Sequence, residues 1–82
     1  MRKEFEKGSP EMTMFRDFYR IIQDYWIFED TEAYWQGLID DMDDFYKKYR
    51  DSVPLSRRIG KAFIDERLAL HERKEDVNGY QD

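Results

Sequence analysis

The sequence predicts an all-α protein, a compact three-helix bundle with frayed termini. Two observations point there. Apolar residues recur at spacings of three and four in three separate stretches, and no segment keeps a period of two. Each stretch opens on a cap residue, with proline in the first turn of two of them. The 82 residues amount to one domain without cysteine, so burial rather than disulfides must hold it together. A chain this short hides only about 60% of its unfolded surface. Its aromatic share of 17% is therefore informative, because each ring buries ~150–250 Å².

Residues 1–8 read as a flexible lead and 9–74 as the helical domain. Ser9-Pro10-Glu11 is a helix start: a cap hydroxyl, a proline suited to the first turn and an acid at the positive end of the dipole. Met14, Phe15, Phe18, Tyr19, Ile21, Ile22, Tyr25 and Trp26 follow at helical spacing. At ~100° per residue they cover an arc of roughly 160°. The first helix is placed at about 10–26 and Ile27-Phe28-Glu29 in the connection.

Asp30 or Thr31 caps the second helix, placed at about 31–50. Trp35, Leu38, Ile39, Met42, Phe45, Tyr46 and Tyr49 form the cleanest apolar stripe of the chain. Lys47, Lys48 and Arg50 suit its negative end. Gly37 inside it costs ~1 kcal/mol relative to Ala, which a close helix approach would justify.

Ser52 and Pro54 open the third helix, placed at about 53–74, with Leu55, Ile59, Ala62, Phe63, Ala69 and Leu70 on its core face. Asn78-Gly79 ends any helical tendency, and 75–82 is expected to be a flexible tail. Tyr25, Trp26, Tyr34 and Trp35 gather across the first connection and are assigned to the closed end of a helical hairpin.

Charge is unevenly spread. Residues 21–46 hold eight acids and no Lys or Arg, whereas 47–74 hold nine basic groups against four acids. Asp40, Asp41, Asp43 and Asp44 crowd two turns of the second helix, where like charges repel at i,i+3 and i,i+4. They form a candidate docking face for a protein partner with a basic surface, or a solvated face only; the EF-hand spacing that would hold calcium is absent. On the third helix Arg57, Lys61, Ile64, Arg67 and Leu68 make an apolar strip in a basic face. That strip suits a partner contact or a homodimer seam. Phosphate contact by Arg57, Arg58, Lys61 and Arg67 is the nucleic-acid alternative, opposed by the net charge of −5.

Several classes lack their parts. A single His71 and no Cys leave no ordinary zinc set. Asp65-Glu66 and His71-Glu72 are sequence neighbours, which point to different faces of a helix and cannot converge as an acid–base pair. No glycine-rich phosphate loop, metal motif or cofactor motif occurs, so no catalytic, cofactor-binding or metal residue is assigned and an enzyme is not expected. No apolar run approaches a membrane span and Met1–Lys7 has no signal-peptide pattern, so a cytoplasmic protein is expected.

Asp17-Phe18-Tyr19-Arg20, Glu29-Asp30-Thr31-Glu32-Ala33-Tyr34-Trp35, Tyr46-Lys47-Lys48-Tyr49, Pro54-Leu55 and Ala62-Phe63-Ile64 together make an aromatic pattern over residues 14–74. It resembles small helical proteins carried by prophages and conjugative elements of Gram-positive bacteria. The resemblance implies a mobile-element setting and carries no activity. The acid cluster and the basic third helix lie outside it. In such a setting an acidic, non-enzymatic protein-binding module is expected, with an inhibitor of a host defence nuclease, of the anti-CRISPR kind, as its sharpest form. The alternatives are a small DNA-binding regulator using the third helix and a self-associating structural subunit.

Overall fold

The computed structural model describes the backbone of residues 1–80 and the side chains of residues 1–73. Three helices, α1 (Pro10–Tyr25), α2 (Glu32–Tyr49) and α3 (Leu55–Tyr80), run up, down and up, and each packs against the other two. The chain is an all-α three-helix bundle, with no strand among the described residues.

The helix starts follow local chemistry. Ser9 Oγ accepts from Met12 N at 3.3 Å with Pro10 in the first turn, and Thr31 Oγ1 accepts from Tyr34 N at 3.1 Å. Each removes one orphan amide from a helix N-terminus. The third start departs from expectation. α3 begins at Leu55, where Ser56 N donates to the Val53 carbonyl at 3.0 Å, and Val53 N reaches back to Tyr49 at 2.7 Å. The turn is thus closed by backbone groups around a buried Val53 rather than by Ser52. At the other end α3 extends past the expected residue 74, to Tyr80. Asn and Gly weaken a helix by up to ~1 kcal/mol each without forbidding it. The flexible tail expected at 75–82 falls where the side chains, and residues 81 and 82 entirely, lie outside the described residues.

The core is built around α2. Tyr34, Leu38, Met42, Phe45 and Tyr49 are buried at spacings of four, four, three and four, one continuous seam. α1 adds Met14 and Ile21, and the α2–α3 turn adds Val53. Phe18 of α1 joins the layers, its ring 5.7 Å from Phe45 and 6.3 Å, edge-on, from Phe63. Two glycines set the approach distances. A Cβ at Gly37 would lie 2.8 Å from Tyr25 Oη, and one at Gly60 would lie 2.8 Å from Met42 Sδ. Bare backbone at these points lets Tyr25 cross α2 and lets α3 close onto Met42.

α3 is rotated from its expected register. Its core-facing residues are Ser56, Gly60, Phe63 and Arg67, whereas Leu55, Ala62 and Ala69 are exposed. Phe63 is its one buried apolar side chain among the described residues, assisted by half-buried Ile59 and Ile64. The reason lies at Arg67, which is 4% exposed. α1 has no basic residue in its last turn to meet its exposed carbonyls. The Arg67 guanidinium meets them from α3, donating from Nη1 to Trp26 O at 2.7 Å and to Tyr25 O at 3.2 Å. Its Nε donates to Glu66 at 2.6 Å, and its charge sits over the rings of Phe63 and Trp26 at 4.9 and 5.2 Å. A cation at the negative helix end, bonded and stacked, outweighs the burial of a few more methyl groups.

The hairpin end is sealed by aromatic rings in edge-to-face contact. Tyr34 meets Tyr25, Phe28 and Trp35 at 5.5 to 5.6 Å. Asp30 ties α3 to this end: it accepts from Trp35 Nε1 at 2.9 Å and lies 2.6 Å from His71 Nδ1. Trp26 departs from the expected cluster. It is 63% exposed, because α1 ends before it and directs it along the α3 side.

Candidate partner-binding surfaces

The four acids of α2 do not form one free face. Asp41 accepts the Tyr25 hydroxyl at 2.5 Å, Asp43 pairs with Lys47 at 2.9 Å, and Asp40 accepts from Gln36 at 3.0 Å. Asp41 and Asp44 border a shallow cleft of about 300 Å³ against α1, shared with Asp17, Asp24, Arg20 and Lys48. Asp43 lies on the opposite side of α2, in a cleft of about 310 Å³ with Arg57 and Lys61 of α3. Positions 41 and 43 are two residues apart, about 200° around a helix, and so cannot share a face.

The acids still create a field. The Tyr25 hydroxyl is pushed well above the usual phenol range, first by burial, then by its bond to Asp41 and by the charges of Asp41, Asp24 and Asp40. Across the α1–α2 seam, Asp17 accepts from the Tyr49 hydroxyl and, at 2.9 Å, from Lys48 Nζ. Burial raises the Asp17 carboxyl, but these two bonds and the Lys48 charge outweigh it and hold it below the usual range.

The expected strip on α3 is also divided. Arg57 and Lys61 are exposed, with Lys61 held by Asp65 at 2.9 Å. Ile64 is half-buried against the core and borders the cleft beside Asp43. Leu68 is exposed one turn on from Ile64. Arg67 leaves the expected strip: it is buried and bonded to the end of α1, so its guanidinium is not free for phosphate. The basic flank of Ile64 and Leu68 is left with Arg57 and Lys61. Ser56 Oγ is buried beneath the α2–α3 cleft without a protein partner.

A larger groove lies elsewhere among the described residues. A groove of about 670 Å³ runs between α1 and α3, walled by Phe18, Ile22, Trp26, Ile59, Ala62 and Leu70 and floored by Phe63. Its polar lining is the Glu66–Arg67 pair. Above the α1 wall, Phe15 and Tyr19 are exposed. Met12, Phe15, Tyr19, Ile22 and Trp26 thus form a second apolar stripe at spacings of three, four, three and four. The wide arc of α1 is two stripes, one inward through Met14 and Ile21 and one outward. A single packed seam needs about 100°, and the excess was the signal. On α3, Ile59, Ala62 and Leu70, expected on the core face, line this groove, and Leu55 is exposed outside it.

Among the described residues no group of three His, Cys, Asp or Glu side chains is placed to hold a metal ion, and no helix is long and apolar enough to cross a membrane. The chain matches no protein-family model, no curated protein and no solved structure.

Proposed function

We propose that the chain is a non-enzymatic protein-binding module whose binding face is the groove between α1 and α3. The observation that carries this reading is the apolar groove itself, in which Phe18, Ile22 and exposed Trp26 of α1 face Ile59, Ala62 and Leu70 of α3. Contiguous apolar surface costs free energy in water unless something covers it. A two-walled helical groove is the form that receives a helix or loop through its apolar side chains.

A second reading has one observation in its favour. Asp24, Asp40 and Asp44 are exposed, and the acid-rich segment 21–46 contains no basic residue. This supports docking of the α2 face onto a basic surface, including a nuclease groove in the mobile-element setting that the aromatic pattern implies. The two readings separate by variant. Ala62→Arg fills the groove from an exposed position, whereas reversal of Asp24, Asp40 and Asp44 to Lys leaves the groove and the Asp41–Tyr25 and Asp43–Lys47 contacts in place. The binding partner is expected to be lost with the first variant and retained with the second, read by co-purification of the tagged proteins at matched salt. Loss with the acid reversal alone would replace the groove reading by the acidic one.

A further inference from the structure

We infer that the occupant of the α1–α3 groove is an amphipathic helix of a partner protein whose apolar stripe is flanked by Asp and Glu. The inference rests on the groove reading above and adds the chemistry of what fills it. The walls run along two helices, over Phe18–Trp26 of α1 and Ile59–Leu70 of α3. At ~1.5 Å per residue they offer roughly three turns, enough for anchors at i, i+3 or i+4, and i+7.

The charges around the groove give its sign. Its acids are already engaged, Glu66 by Arg67 and Asp65 by Lys61. The exposed cations beside the walls are arginines. On the α3 wall, Arg58 is one turn from Ala62 and Arg73 one turn from Leu70. Arginine forks favour carboxylates that approach along such rims. A second copy of the chain fits poorly. Its acid-rich helix is α2, whose apolar seam is committed to the core. Its remaining apolar faces are flanked by Arg16 on α1 and by Arg58 and Arg73 on α3, so pairing would set like charges together.

Two fluorescein-labelled helical peptides of about 18 residues test this, identical in a leucine stripe at i, i+3, i+4 and i+7 spacing. One carries Glu on both flanks and the other Lys. Polarisation titrations with the full chain at low salt are expected to show the Glu peptide binding about fivefold tighter, since two rim pairs each contribute a few-fold. The Arg58→Glu/Arg73→Glu variant is expected to reverse that order. Ala62→Arg is expected to abolish binding of the Glu peptide despite its added positive charge, because it fills the groove. Equal affinity for the two peptides, or tighter binding of the Lys peptide, overturns the acidic-partner inference and leaves the groove reading standing. Binding of neither peptide overturns both. A dimer seen by analytical ultracentrifugation that Ala62→Arg dissociates overturns the partner helix in favour of a second copy.

Discussion

Arg67 closes the C-terminus of α1 from a position more than forty residues away in sequence. It supplies two charge-assisted bonds to carbonyls, a carboxylate pair and two ring contacts from one side chain. Each bond to a charged group contributes about 1.5–3 kcal/mol when its loss leaves the partner unsatisfied. Arg67→Ala is therefore expected to lower unfolding free energy by about 2–4 kcal/mol in urea melts. Arg67→Lys recovers little of it, because an ammonium cannot serve both carbonyls and Glu66 in one plane. A loss under about 0.5 kcal/mol, the scale of an ordinary surface change, would contradict the capping role. Nothing in the sequence marks this arginine among the basic residues of 47–74. Its identity as a cap depends on where α1 stops, and that is a tertiary fact.

Asp17 belongs to the same scale. Its carboxyl is held below the ordinary value of 3.8 by Tyr49 and Lys48. A folded pKa below the unfolded one means that the stabilisation is present above the unfolded value. It is lost as pH falls through the folded value. The wild-type chain is expected to lose stability below about pH 3.8 partly through this group. Tyr49→Phe is expected to raise the Asp17 pKa in an NMR carboxyl titration, and an unchanged value would remove Tyr49 as a cause.

Among the elements, α2 was legible except at its edges, where Tyr34 is buried and Ile39 is exposed, and α3 was not. The α2 stripe needed only period and amphipathicity, because both of its neighbours pack on that one seam. α3 has too few large apolar residues for periodicity to fix its rotation, and two contacts decide it: Gly60 on Met42 and Arg67 on the end of α1. The corrected face has a measurable consequence. Phe63→Ala is expected to cost about 3–5 kcal/mol and Leu55→Ala under about 0.5 kcal/mol. Comparable losses would return Leu55 to the core. The glycines divide in the same way. Gly60→Ala gains up to ~1 kcal/mol of helix propensity but presses on Sδ and Cγ of buried, flexible Met42, so the two effects are expected to offset to a net change under ~1 kcal/mol. Gly37→Ala meets the rigid Tyr25 ring and is expected to destabilise by about 1–3 kcal/mol. Urea midpoints of the two variants check the order.

In the whole molecule, the three sides of the bundle differ in how open they are. The α1–α2 and α2–α3 seams hold clefts of about 300 and 310 Å³ edged by charged residues, while the α1–α3 side presents two apolar walls around about 670 Å³. The sequence contained this groove as an apolar arc on α1 too wide for one seam and as an α3 face assigned to the core. Which of the two faces of each helix turns inward follows from the caps and glycines, not from the period. The acid cluster was legible as a charge run, but its partition across both sides of α2 required the helix register and the Tyr25 and Lys47 partners.

The binding face is mapped most directly by amide chemical shifts of the 15N-labelled chain, titrated with the Glu-flanked peptide. Perturbations are expected at Ile22, Trp26, Ala62 and Leu70 with the Trp26 indole moving furthest, leaving Asp40–Asp44 in place. Shifts confined to the α2 acids and the α1–α2 cleft, with the Trp26 indole unmoved, would contradict the groove as the face through which this bundle binds.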